Sequence, residues 1–243
     1  MLELKNISWT TPDGRKILDN VSLAVPDRKL IAITGPNGGG KTTLAKVMAG
    51  IITPDSGSIY LDGEDITGLD VTERARKGIA FAFQQPVRFK GLTVRMLIDI
   101  AAGEKVKESR LCDIMAGVGL CARDYLDREI NNTLSGGEMK RIEIATVLAR
   151  KAPVSIFDEP EAGIDIWSFA GLIKTFDALR RSPEGTLVIV SHQERILRIA
   201  DEIVLLADGH VKLTGSGDEV LASLVNSGNI ASVCEKKEAV ING

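Results

Sequence analysis

Cysteine is scarce: the 243 residues carry three, Cys112, Cys121 and Cys234, an odd number with no CxxC pair. That argues against a disulfide framework and a cysteine zinc site, and fits a reducing, cytoplasmic compartment. An excess of charge of one sign is also lacking. Thirty basic residues against 33 acidic ones leave a net charge of −3, which offers no footprint for nucleic acid or an anionic membrane surface. No nucleic-acid partner is therefore expected. No apolar run approaches the length of a bilayer span, and the first residues, "MLELKNISWTTPDG", lack a basic start followed by an apolar core. Direct membrane insertion is not expected, so any membrane role requires a partner. Internal repeats and low-complexity segments are absent too.

What is present is 44% hydrophobic residues, enough for one large α/β domain or two small ones. "LELKNISW" alternates and "ILDNVSLAV" nearly does, with "TPDGRK" between them, which predicts an antiparallel strand pair. Short apolar strands follow at "KLIAITG", "GIAFAF", "VSIFD", "TLVIVS" and "EIVLLADG", separated by helical patterns. Buried strands alternating with helices predict a mostly parallel sheet covered on both faces. Residues from roughly 86 to 150 turn helical and read as a subdomain inserted in one domain spanning 1–243, while 226–243 read as a loosely ordered tail.

Two stretches carry chemistry. "GPNGGGKTT", residues 35–43, matches G-x-x-x-x-G-K-[ST] after a strand and before a helix. Gly35, Pro36, Asn37, Gly38, Gly39 and Gly40 would form a loop whose amides wrap phosphates where no Cβ intrudes. Lys41 would add a point charge, and the Thr42 hydroxyl, ahead of Thr43, could ligate Mg²⁺. The plainer alternative is a Gly-rich turn. "VSIFDEP", residues 154–160, puts two carboxylates at the C-terminal end of an apolar strand, where sites in parallel sheets lie. Asp158 suits Mg²⁺, and Glu159 suits a general base that polarises water. A solvated loop start is the alternative. A third stretch, "NTLSGGEMKR" (132–141), sets Ser135, Gly136 and Gly137 ahead of a helix and reads as either an anion-binding corner or a helix cap.

Together, "GPNGGGKTT", Gln84, "LSGGE", "IFDEP", Asp165 and His192 follow the order and approximate spacing of ATP-binding-cassette (ABC) ATPases, a family the chain resembles over nearly its whole length. The resemblance implies a P-loop fold with a mostly parallel sheet core, an antiparallel β subdomain and an inserted helical subdomain. It also implies ATP and Mg²⁺ as ligands, and hydrolysis of ATP to ADP and phosphate. By the same resemblance Gln84 would reach Mg²⁺ and the attacking water, and His192 would contact the γ-phosphate. Asp165 would lie across a dimer seam. Cassettes of this family pair head to tail on ATP, so Ser135, Gly136 and Gly137 would close over a nucleotide held by a second copy.

One position departs from the family pattern: Thr11 falls where many cassettes stack an aromatic on adenine, and Trp9 reads as a core residue. Within the family, "DEPEAGIDIW", "FAFQQPV" and "SHQERIL" look most similar to the SufC-type ATPase of iron–sulfur cluster assembly. That likeness implies a soluble SufB/SufD-like scaffold as partner. "ADEIVLLADGHVKLTGSGDEVL" instead reads like an importer cassette, and implies a membrane permease. The cysteines are too scattered for cluster ligands. Cys112 and Cys121 read as packing residues of the helical subdomain, Cys234 as a tail residue and His210 as a turn residue.

Overall fold

A computed structural model of the chain describes residues 1–131, 133–181, 185–217 and 219–220. Cys234 and the expected tail lie outside the described residues. Two sheets organise the rest. β1 (Leu2–Thr10), β2 (Lys16–Val25), β4 (Ser56–Leu61) and β5 (Glu64–Asp65) form an antiparallel sheet in the order β2-β1-β4-β5. β3 (Leu30–Thr34), β6 (Ile79–Ala82), β7 (Val154–Asp158), β8 (Thr186–Val190), β9 (Glu202–Ala207) and β10 (His210–Gly215) form the second, in the order β10-β9-β3-β8-β7-β6. The five strands from β9 to β6 run parallel, and β10 adds an antiparallel edge. The expected mostly parallel core and antiparallel part are both there.

β3, β7 and β8 are buried at every residue because both of their faces are covered. The period of two sorts their side chains into two separate cores. Leu30, Ala32, Phe157, Leu187 and Ile189 face one, shared with α3 (Val94–Ala102), α4 (Glu108–Gly117), α6 (Gly136–Arg150), α7 (Ile166–Arg181) and α8 (Glu194–Ile199). Ile31, Ile33, Val154, Ile156, Val188 and Val190 face the other, shared with α1 (Lys41–Met48) and the antiparallel sheet. The parallel sheet is thus the middle of three layers. α2 (Val71–Arg76) and α5 (Ala122–Tyr125) are single short turns.

The interior also holds a charge. Arg74 is 1% exposed and donates to the carbonyls of Val47, Met48, Leu69 and Thr67 at 2.7–3.1 Å, so it closes the C-terminal end of α1. Burial pulls its guanidinium below the usual arginine range.

Four helices, α3 to α6, occupy the stretch expected to be helical. Two readings within it change. Cys112 and Cys121 are exposed rather than packed: α4 buries Leu111 and Met115, which turns Cys112 outward, and Cys121 precedes the first turn of α5. Trp9 is partly buried against the second core, while Thr11 bonds both backbone groups of Arg15 and pins the β1–β2 turn. His210 opens β10 instead of sitting in the preceding turn, which Asp208 and Gly209 make at positive φ. Among the described residues, no helix is long and apolar enough to cross a membrane.

Candidate active site

The C-terminal ends of β3, β7 and β8, with the chain leaving β6, bring the expected residues to one rim of the parallel sheet. After β3 the loop needs its glycines for contact as well as for conformation. A Cβ on Gly35 (φ 139°) would lie 1.9 Å from the Leu206 carbonyl oxygen, and one on Gly40 (φ 99°) 2.9 Å from that of Ile17. Lys41 folds back over the loop, donating from Nζ to the carbonyls of Gly35 at 2.8 Å and Pro36 at 2.9 Å. Burial pulls its ammonium below the usual lysine range, and the charges of Glu159 and Asp158 oppose that.

Thr42 Oγ1, in the first turn of α1, donates to Asp158 Oδ1 at 3.0 Å. Asp158 is fully buried and its carboxyl is pushed above the usual range by that burial, with the Thr42 bond opposing. Its other oxygen, Oδ2, is buried without a hydrogen-bond partner among the described residues. An unsatisfied buried carboxylate oxygen beside a hydroxyl is a hard-oxygen pair suited to Mg²⁺, which takes few protein ligands and completes its shell with water and phosphate.

Glu159 follows at φ 45°, a left-handed backbone that a non-glycine residue adopts at a cost of about 1–3 kcal/mol. Its N–H donates to the Val190 carbonyl at 3.0 Å, which ties the turn to β8. The twist turns its carboxylate away from that of Asp158 toward the chain leaving β6. Gln84 Nε2 donates to Glu159 Oε2 at 2.7 Å, and His192 Nε2 stands 3.7 Å from Oε1. A carboxylate held by an amide on one oxygen and faced by an imidazole on the other is arranged to accept a proton from water.

Glu161 and Ser191 also belong to this rim, though no sequence reading singled them out. Ser191 Oγ, one residue before His192, donates to Glu161 Oε1 at 2.6 Å and accepts from the Gln193 N–H at 3.0 Å. Burial pushes the Glu161 carboxyl up, and the Ser191 bond opposes. A third acidic residue within "DEPE" was the available signal.

Ser135, Gly136, Gly137 and Asp165 form a separate corner. The Ser135 side chain accepts from the Glu138 N–H at 3.2 Å while Glu138 accepts from the Ser135 N–H at 2.7 Å, a capping box that starts α6. Gly137 must lack a Cβ because one would lie 2.7 Å from the Gly163 carbonyl oxygen. Asp165 accepts from the N–H groups of Trp167 and Ser168 at 3.1 and 2.9 Å and so caps α7; the Ser168 hydroxyl first, and then these backbone bonds, hold its carboxyl below the usual range. Arg141 joins the two helix starts, donating to Ser168 Oγ at 3.0 Å and to the Gly137 carbonyl at 3.3 Å. Beside it Ile166 and Trp167 are 65% and 85% exposed.

The family profile described as ABC transporter matches residues 18–162. An uncharacterized ABC transporter ATP-binding protein of Methanocaldococcus jannaschii is 39% identical over 85% of this chain and 86% of its own length. The choline transport ATP-binding protein OpuBA of Bacillus subtilis is 32% identical over 91% of this chain, which spans 59% of that longer relative. Among solved structures, an ATP-binding cassette in a dimeric post-hydrolysis state, bound to ADP and Pi, superposes with a TM-score of 0.80 at 26% identity. That match covers 89% of this chain and 98% of the other.

Proposed function

The chain belongs to the ABC transporter ATPase family, and from that premise we propose that it is the ATP-driven subunit of a transporter, pairing head to tail with a second copy and moving a membrane permease. ATP binding and hydrolysis are the family's reaction. The observation that carries the assignment of parts is the convergence of the Thr42–Asp158 and Gln84–Glu159 contacts on one rim.

On this reading the loop 35–40 and Lys41 hold the β- and γ-phosphates of ATP. Thr42, Asp158 and Gln84 are the candidates to hold Mg²⁺, which when bound neutralises charge on the phosphate oxygens. Glu159 takes a proton from water as the water oxygen bonds to the γ-phosphorus; the bond to the β–γ bridging oxygen breaks and ADP departs with phosphate. Gln84 orients the Glu159 carboxylate, and His192 faces the γ-phosphate. Ser135, Gly136, Gly137 and Asp165 serve the nucleotide of the second copy. Single-turnover hydrolysis with Glu159→Gln tests the scheme: ATP should bind and persist, and turnover at the parent rate would remove Glu159 as base.

A permease is favoured as partner by the transport names of relatives and by an apolar groove between β6 and the helices. Ile51, Val71, Phe81, Phe83, Ala101 and Val147 line it. The cytoplasmic side of the membrane is the corresponding location. One feature favours the second reading, a SufC-type role with a soluble SufB/SufD-like scaffold: the stretch "EAGIDIW" has no proline after Asp165 and leaves Ile166 and Trp167 exposed. Affinity purification from the native host separates the two. Recovery with membranes and a multi-span protein supports transport, whereas recovery with a soluble scaffold able to bind iron and sulfide overturns it in favour of cluster assembly.

A further inference from the structure

Just inside α6 lies a buried ion pair that the scheme above does not use. The Lys140 side chain is 1% exposed and that of Glu143 12%, with Nζ 3.4 Å from Oε2. Desolvation works against both charges, so the pair by itself is weak evidence for stability. What the pair grips is more informative. Glu143 Oε1 accepts the Phe83 N–H at 2.9 Å, and the Lys140 ammonium donates to the Phe83 carbonyl. Both backbone polar groups of Phe83 are therefore held by one helix. The same ammonium lies 3.4 Å from the Gln84 carbonyl and 3.3 Å from that of Asp158. Phe83 directly precedes Gln84 and Asp158 directly precedes Glu159, so α6 fixes the two points from which the Gln84 and Glu159 side chains depart.

We infer that Lys140 and Glu143 are a positioning pair for hydrolysis, setting the Gln84–Glu159 contact through the backbone of Phe83 and Asp158. The inference rests on Glu159 acting as base. Neither side chain belongs to the loop 35–40, Lys41 or Thr42 to which the scheme above gives the nucleotide, so the effect belongs in turnover rather than in nucleotide affinity. The 2.7 Å amide–carboxylate bond depends on both chain positions, and a displacement of about 1 Å at such a contact costs up to roughly 10²-fold in rate.

The test uses the full chain carrying Lys140→Met together with Glu143→Gln, which removes both charges without stranding either and keeps an acceptor for the Phe83 N–H. Losing the Lys140 ammonium leaves the Phe83 carbonyl without its donor, so the melting temperature should fall by several degrees, whereas fluorescent-nucleotide affinity should change less than about 3-fold and kcat should fall roughly 10- to 100-fold. Adding Glu159→Gln to this variant should then cost much less than it does in the parent, since groups acting as a unit are non-additive. Parent-level kcat in the double variant overturns the inference, as does a kcat loss tracked by an equal loss of nucleotide binding. If Glu159→Gln alone leaves turnover unchanged, the failure lies in the base assignment instead.

Discussion

At the rim formed by the ends of β3, β7 and β8 the candidate side chains bond across elements that are far apart in sequence: Thr42 to Asp158, Gln84 to Glu159, Ser191 to Glu161. At the Ser135–Asp165 corner, among the described residues, the Ser135 and Asp165 side chains bond to their own helix starts. The first region is wired within one chain, and Asp158 Oδ2 is left without a hydrogen-bond partner among the described residues. The second is a rigid platform whose helix starts are tied together by Arg141 and flanked by exposed Ile166 and Trp167. A pre-wired region should fail through chemistry when altered, and a platform should fail through what it presents to another molecule.

The largest effect should come from the wired region. Glu159→Gln is expected to slow single-turnover hydrolysis by roughly 10²–10⁴ while ATP stays bound, because it removes the proton acceptor and keeps the shape. Lys41→Ala should come next, weakening fluorescent-nucleotide binding about 10- to 100-fold, the scale of a charge-assisted contact to phosphate. An unchanged affinity would mean that the loop after β3 is not a phosphate cradle.

The platform is probed by complementation. Ser135→Arg chains and Lys41→Ala chains should each be nearly inactive, whereas an equal mixture should regain roughly a quarter of the parent rate, since random pairing makes half the dimers mixed and each keeps one intact site. No recovery, with mixed dimers demonstrated by differential tagging, would break the comparison by placing the corner's role within its own chain. The smallest effect should be Asp165→Ala, a lost helix cap worth about 1 kcal/mol, seen as a melting temperature lower by roughly 2–4 °C.

The sequence showed these regions unequally, for physical reasons. β3, β7 and β8 were legible because strands covered on both faces must be apolar throughout, and Gly35, Gly39 and Gly40 because contact with Leu206 or Ile17 forbids side chains. β4, β5, α2 and β10 went unseen. β10 alternates only between exposed and partly buried residues, and β5 is two residues long, so neither carries a strong pattern. Lys140, Glu143 and Glu161 escaped for another reason: a charged residue reads as solvated, and their burial comes from partners 18 to 60 residues away, such as Asp158, Ser191 and Phe83. The two cysteines misled in the opposite sense, since a small sulfur side chain is usually inside and here the neighbouring Leu111 and Met115 took the inward positions.

If Glu159 is the base proposed above, its left-handed turn makes folding and hydrolysis want different residues at one position. In a saturation library, a readout of soluble yield should rank Gly, Asn and Asp first and Val or Ile last, because β-branched side chains tolerate positive φ least. A readout of ATP turnover should retain Glu alone. The wild-type residue would then score as a mild folding liability kept for its carboxylate, and the disagreement between the two rankings would mark position 159 as functional without any ligand or relative in view.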